Sequence, residues 1–489
     1  MNASPHRSGL LRDYDSGKFY CELLGSPANP QPVVEIIERQ LSTISEEELR
    51  NRAAAAENDM FDHGVTFTVY SDKSAIDRVF PFDLIPRVLT ANEWNVIEAG
   101  IIQRVAALNL FLADIYGPKH VLRDGIIPAS LVFGNPNFRR EMEGVKVANG
   151  VYVAICGTDI VRDQSGRFLV LEDNARTPSG VSYVIENRRM MLRAWPELFE
   201  GIPVRSVDNY GAMLRQALAE LSPTSAADPH IVLLSPGTYN SAYFEHVFLA
   251  REMGVPLVEG RDLTVTDSKV YLRTIAGLRR VDTIYRRIDD DFLDPRVFRK
   301  DSILGVPGLM EAYVAGNVQL ANAVGTGVAD DKAVYAYMPR LIRYYLQQDA
   351  ILPNVDTHLC AEAEGLAYTL ANIENLVVKP VGASGGYGVM IGSRASKAEI
   401  EDTRAQIVAD PGNFISQPVV GLSVCPTLCT DGIEPRHVDL RPFAITGRQT
   451  WVLPGGLTRV ALRKNSLVVN SSQGGGSKDT WVLFPEAAE

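Results

Sequence analysis

The chain has 489 residues, and at ~150 residues per domain that length points to about three domains. Hydrophobic residues make up 46% and charged residues 22%, an ordinary globular composition with material for several cores. Lys plus Arg total 48 against 59 Asp plus Glu, a net charge of −11, which argues against a nucleic-acid binder held by a basic surface. Apolar runs such as Val151–Cys156 fall far short of the ~20 residues that cross a bilayer. The first residues, with His6, Arg7, Arg12, Asp13, Asp15 and Lys18, lack the apolar stretch of a signal peptide. Five cysteines at 21, 156, 360, 425 and 429 are too scattered for a disulfide framework, and Cys425-x3-Cys429 has no second Cys/His pair to complete a zinc site. The expectation is a soluble, multidomain enzyme of the reducing cytoplasm, with no nucleic-acid or membrane partner and its oligomeric state open.

In chain order, the first ninety residues read as mostly irregular, with Pro27, Pro30 and Pro32 in a loop and one helix opening at a Ser45/Glu48 capping box. A second box, Thr90 with Glu93, opens a long helix to about Tyr116. Residues Val151–Asn174 read as a hairpin whose turn is Asp163-Gln164-Ser165-Gly166. From about Pro203, strand His230–Leu234, a helix near Ser241–Met253, strand Leu257–Val258 and strand Asp282–Arg286 predict a small parallel α/β unit with a crevice at its strand ends. The last part reads as helix Lys332–Gln348, strand Leu376–Val378, a Gly-rich loop and helix Ser396–Ala409. Strands Phe414–Val420, Val438–Ile445, Gln449–Val452 and Leu467–Val469 close it.

Three stretches carry residue types suited to chemistry. In Val377-Val378-Lys379-Pro380 followed by Gly382-Ala383-Ser384-Gly385-Gly386-Tyr387-Gly388, a Lys at a strand end precedes a loop whose backbone N–H groups can approach a polyphosphate closely. It matches neither the P-loop nor the G-x-G-x-x-G pattern, and a solvated surface loop is the alternative. In Leu171-Glu172-Asp173-Asn174, Glu172 and Asn174 project from one strand face. With Asp159 on the preceding strand they offer hard oxygen ligands suited to Mg²⁺; the alternative is a solvated hairpin edge. Near the C-terminus, Asp439 and Arg441 share a face, followed by Arg459, Asn470 and Gly474-Gly475-Gly476. Arginine forks suit phosphate or carboxylate, although any single Arg could instead form a surface ion pair.

Together these pieces resemble the ATP-grasp enzymes, the carboxylate–amine ligase superfamily. Asp331-Lys332 ahead of a helix, Lys379 before the Gly-rich loop, and Phe414-Ile415-Ser416-Gln417-Pro418-Val419 as the adenine hinge match that family's order. Asp439-x-Arg441, then Arg459, Asn470 and Gly474-Gly475, and the element Asp159 with Glu172-Asp173-Asn174, match its remaining motifs. The metal-ligand element normally comes last, yet here it precedes the lysines by roughly two hundred residues. The chain therefore resembles the circularly permuted ATP-grasp proteins related to glutathionylspermidine synthases. Ser235–His246 and Tyr285–Asp291 also look like stretches of that group. Two departures stand out: Gln417 occupies the hinge position where many members have Glu, and the Pro-Gly after Asn174 is stretched to Pro178 and Gly180.

The resemblance implies a mixed α/β, circularly permuted ATP-grasp fold with a small parallel α/β substrate unit. Residues 1–90 would be a lead-in, 91–195 the permuted metal-ligand part, 196–330 the substrate unit and 331–489 the nucleotide part. ATP and Mg²⁺ are the implied cofactors, with Asp159, Glu172 and Asn174 as metal ligands. Nucleotide contacts fall to Lys332, Lys379, Gly382, Ser384, Gly385, Gly386, Gln417 and Val419. Arg441, Arg459 and Asn470 would meet the transferring phosphoryl group, and Tyr239, Asn240, Arg286 and Arg287 the substrate. The implied activity joins a small acid to an amine, the pair including a peptide or a polyamine. The rivals are a phosphotransferase and a nucleotide-binding scaffold without turnover.

Overall fold

A computed structural model describes residues 9–25, 32–71, 74–224, 227–382, 388–464, 466, 469 and 475–485. The expected capping boxes set the two long N-terminal helices. Thr90 and Glu93 bond reciprocally at the start of helix Ala91–Ile115. At helix Glu46–Asp62 only half the box forms: the Ser45 hydroxyl accepts from the Glu48 N–H, while the Glu48 carboxylate turns forward to Arg52 at 2.9 Å. Helix Ala91–Ile115 is long and apolar enough to cross a membrane by length and composition. However, 56% of its most apolar window is buried, and Trp94, Ile97, Ile101, Leu108 and Phe111 pack in the largest core.

Among the described residues the main sheet has nine strands, and its order is the central topological fact. Strands Thr450–Val452, Phe443–Thr446, Ile155–Arg162, Gly432–Arg441, Leu457–Val460, Gly476–Val482 and Phe82–Leu89 lie side by side. Phe168–Asn174 pairs with Ile155–Arg162, and Val424–Cys429 with Gly432–Arg441. Ile155–Arg162 thus pairs with two strands nearly three hundred residues later, through Leu440↔Ile160 and Ala444↔Cys156. Two chemically distant segments of the sequence build one surface.

Several elements depart from the sequence expectation. The first ninety residues hold helix Pro32–Thr43 and three strands, and Phe82–Leu89 belongs to the main sheet, parallel to Gly476–Val482. Helix Lys332–Gln348 is two helices, Lys332–Ala336 and Met338–Leu346, parted ahead of Pro339, which cannot donate within a continuous helix. Strand Val438–Ile445 is likewise broken by Pro442 into Gly432–Arg441 and Phe443–Thr446. The expected strand Leu467–Val469 lies largely outside the described residues.

The α/β unit forms as expected but larger. Its parallel strands run in the order Gln319–Ala321, Thr283–Arg286, Ile231–Leu234, Leu257–Val258. A three-stranded antiparallel sheet, 263–280, is inserted in it. Asn322, at the end of strand Gln319–Ala321, joins this unit to the main sheet. Its Oδ1 accepts from the N–H groups of Ala154 and Ile155 at 2.8 and 2.7 Å, and its Nδ2 donates to the carbonyls of Ile155 and Ala175 at 2.6 and 2.8 Å. A further four-stranded sheet, in the order His358–Leu359, Phe414–Pro418, Leu376–Pro380, Met390–Ile391, carries Lys379 and Gln417.

Candidate functional site

The hairpin turn is held by Asp163, whose Oδ1 accepts from the Ser165 and Arg167 N–H groups. From that turn the register places Asp159 directly opposite Glu172, with an irregularity between Asp159 and Ile160. Asn174, two residues on, shares the Glu172 face; its Nδ2 donates to the Gly157 carbonyl at 3.1 Å. Asp173 faces the other way, buried against Arg104 and the Thr158 hydroxyl. The alternation of the strand separates a structural carboxylate from an available one.

On the neighbouring strands, Asp439 stands opposite Arg459. Arg441 grips both oxygens of Asp159 at 2.5 and 2.8 Å, and Arg459 reaches Asp159 at 2.7 Å while also pairing with Asp439. Burial works to raise the Asp159 pKa, but Arg441 and then Arg459 outweigh it and hold the carboxyl well below its usual range. In Asp439 burial prevails over Arg459, and the pKa is raised. Glu172 sits between two cations, 3.9 Å from Lys332 and 3.9 Å from Arg441, and its side chain is 31% exposed. Asp159, Glu172, Arg441 and Arg459 therefore form one charged face.

Lys332 and Lys379 reach that face from elsewhere. The Asp331 carboxylate caps helix Lys332–Ala336, accepting from the Ala333 N–H at 2.8 Å, and this orients Lys332 at the helix's first position. Lys379 donates to Gln417 Oε1 at 2.6 Å, and Gln417 is fixed in turn by donating to the Thr357 hydroxyl at 2.9 Å. The hinge glutamine thus serves as an acceptor for the lysine. Loss of hydration pushes Lys379 down to about 8; Lys332 acts the same way, while Glu172 and Asp159 oppose it. Those couplings put Lys379 in electrostatic reach of the hairpin carboxylates.

Among the described residues nothing lies within 4 Å of a Cβ built on Gly382, and a Cβ on Gly388, at φ +72°, would meet the Pro380 ring at 2.9 Å. Ser384, Gly385 and Gly386 lie outside the described residues, as do Asn470 and Gly474. Val419 follows strand Phe414–Pro418 and is half-buried.

The substrate-side residues divide. Tyr239 is 90% exposed on the loop after strand Ile231–Leu234, and Asn240 stabilises that loop by accepting from the Ala242 N–H at 2.9 Å. Arg286 and Arg287 do not face the crevice as expected. Arg286 is fully buried and donates to the carbonyls of Asn322, Ile288 and Ala323 at 2.7–2.8 Å, besides pairing with Asp290. Arg287 is buried too, donating to the Pro178 carbonyl at 2.6 Å and to Glu245 at 3.1 Å. Neither offers an open guanidinium to a substrate carboxylate.

Sequence reasoning also missed Asp330, next to the Asp331-Lys332 pair. Its Oδ1 accepts from the N–H groups of Ala175 and Arg176, which anchors the end of the Asn174 strand to the segment carrying Lys332. Burial pushes its pKa up to about 6 against the pull of Arg176.

Asp159, Glu172 and Asn174 are residue types that suit a hard divalent cation and stand in register on neighbouring strands, with both Asp159 oxygens engaged by Arg441 and Arg459. Among the described residues no cluster of three or more His, Cys, Asp or Glu suits a metal.

Residues 86–461 match the family described as circularly permuted ATP-grasp type 2. The chain belongs to that family. An uncharacterized protein of Synechocystis sp. is 52% identical over 474 residues, covering 97% of this chain and 98% of that protein. An uncharacterized Mycobacterium tuberculosis protein is 53% identical over 450 residues, covering 92% of this chain and 81% of its own length. A Frankia alni protein provisionally named a glutamate–cysteine ligase is 42% identical over 464 residues, covering 95% of this chain but only 54% of that protein. Its name therefore describes a chain of which this one matches about half. Among solved structures, a glutathione synthetase-like effector of Globodera pallida in the apo form superposes with TM-score 0.57 at 11% identity. The match covers 90% of this chain and 98% of that one. That likeness shows the fold. The fold expected from sequence, a permuted ATP-grasp of mixed α/β class, is the fold found.

Proposed function

We propose that this ATP-grasp protein is an ADP-forming ligase that joins a carboxylate to an amine. The observation carrying this reading is the single face where Asp159, Glu172, Arg441 and Arg459 meet, with Lys332 beside Glu172 and Lys379 in electrostatic reach. Asp159, Glu172 and Asn174 would hold Mg²⁺, which when bound supplies charge neutralisation for the polyphosphate.

Lys332 and Lys379 hold the α- and β-phosphates of ATP. Gln417 keeps the Lys379 ammonium aimed, and the Gln417–Val419 hinge takes the adenine. A substrate carboxylate oxygen attacks the γ-phosphorus, the bond to the bridging oxygen breaks and ADP leaves. Arg441 and Arg459 stabilise the charge that develops on the transferring group, with Asn470 as a further contact. The amine then attacks the acyl carbon of the acyl-phosphate, inorganic phosphate departs, and the amine's proton passes to solvent or a nearby base. The loop with Tyr239 and Asn240 forms the substrate wall.

ADP release with Mg²⁺, screened over amino-acid, peptide and polyamine pairs that include glutamate with cysteine, tests this. Mass spectrometry should find a product equal to acid plus amine less water. A phosphorylated acid as the sole product would make the protein a phosphotransferase, and no turnover with any pair would favour a scaffold.

A further inference from the structure

Arg441, read above as a phosphoryl contact, is held on one side by Asp159. We propose that the buried Glu245–Arg287 pair of the α/β unit is a positioning device for Arg441, acting through the segment Pro178–Ser182. The inference rests on the phosphoryl-site reading above.

The contacts run in sequence from one unit to the other. Glu245, on helix Tyr243–Met253, is 1% exposed; its Oε2 accepts from the Gly180 N–H at 2.7 Å, the Ser182 N–H at 3.2 Å and the Ser182 hydroxyl at 2.9 Å. Helix Val181–Ala194 has glycine at its N-cap and no side-chain cap of its own, so a carboxylate from another unit supplies the acceptor its first N–H groups need. Glu245 Oε1 pairs with Arg287, and Arg287 donates at 2.6 Å to the Pro178 carbonyl. Residues on both sides of Ser179 are therefore fixed by one ion pair. The carbonyl of Ser179 in turn accepts from Arg441 Nη1 at 3.4 Å, while the other two nitrogens of Arg441 grip Asp159.

Packing supports the same assignment. A Cβ on Gly157 would lie 3.2 Å from the Pro178 side chain and 3.3 Å from Arg441 Cδ, so the loop and the arginine stem close over the same backbone. Gly180 has φ +111°, and a Cβ there would meet Leu457 at 2.8 Å. The loop has little room to shift without disturbing the strand that carries Arg441 or its neighbour. Glu245 lies in the Ser235–His246 stretch, so the loop bearing Tyr239 and the arginine at the phosphoryl site are joined through one buried pair.

A double-mutant cycle read by calorimetry with Mg²⁺ and a non-hydrolysable ATP analogue tests this, with thermal midpoints recorded alongside. Glu245→Gln, which keeps the shape and loses the charge, should weaken analogue binding about fivefold in the wild-type background. In an Arg441→Gln background it should weaken binding by less than about 1.5-fold further, although the thermal midpoint falls similarly in both. Equal weakening in the two backgrounds, or none in the wild type, would overturn the proposal. Should Glu245→Gln not fold, Ser182→Ala, which removes one hydroxyl from Glu245 and spares the ion pair, gives the same comparison at about twofold amplitude, and additivity there overturns it equally. If Arg441→Gln alone left affinity unchanged, the phosphoryl-site reading would fall, and the positioning role with it. A normal Arg441 effect with additive Glu245 would remove the positioning role alone.

Discussion

Two arginine pairs in this protein are both enclosed and differ in what encloses them. Arg286 and Arg287 lie at the end of a parallel strand, where a crevice is expected, yet their side chains are 0% and 2% exposed and bound to carbonyls and carboxylates of the protein. Arg441 and Arg459 are nearly as enclosed, at 13% and 8%, but they compensate Asp159 on a face that also carries the half-exposed Glu172 and, through it, Lys332. Burial does not separate the two pairs. The partners do: Arg286 and Arg287 each also bind fixed backbone carbonyls at 2.6–2.8 Å, whereas Asp159 is shared by two arginines beside Glu172, an arrangement we propose exchanges partners with a polyphosphate.

Substitutions break the two pairs in different currencies. Arg286→Met should give the largest effect, a loss of about 3–5 kcal/mol of stability, because it takes from buried Asp290 one of its two cations, the other being Arg139, and removes the guanidinium donors from three buried carbonyls. Scanning calorimetry should show it as a large fall in the unfolding midpoint. Glu172→Gln, on the exposed face, should leave that midpoint near wild type and lower ADP release at least about a hundredfold, the upper end of what losing a supporting group around a metal costs. Near wild-type ADP release from folded protein would return Glu172 to a hairpin edge.

Smaller effects sharpen the nucleotide side. Lys379→Ala should weaken binding of a non-hydrolysable ATP analogue by about 1–3 kcal/mol, as for other hydrogen bonds to charged groups. The depressed pKa of Lys379, about 8, has a definite sign: the ammonium that pairs with phosphate is fully present below that pH and lost above it. Analogue affinity should therefore fall about tenfold between pH 7 and pH 9. Lys379→Arg, which stays charged throughout, should flatten the profile. A wild-type profile flat across that range would detach Lys379 from the phosphates.

Local chemistry made some of this legible in the sequence, and long-range chemistry hid the rest. The Asp163 turn and the Thr90 cap are written in neighbouring residues, and each forms as read. The Asp159–Glu172 register is not, because an irregularity at Asp159/Ile160 shifts the pairing beyond the turn. Strand Gly476–Val482 is polar enough to read as a loop, yet it is buried throughout. Lys478 pairs with Asp83 and Asp479 with Arg188, partners hundreds of residues away. Arg287 failed for the same reason: it looks like a crevice charge until its partner Glu245 is known. The permuted order was legible only because its motifs kept their types while changing their places.

The central claim is that strands Ile155–Arg162 and Phe168–Asn174 complete a nucleotide site whose lysines lie at 332 and 379. A crystal structure with Mg²⁺ and a non-hydrolysable ATP analogue tests it most directly. Metal should then lie on the oxygens of Asp159, Glu172 and Asn174, with Lys332, Lys379 and Arg459 on the phosphates. Nucleotide bound without any contact to those two strands, or metal held by other residues, would contradict it.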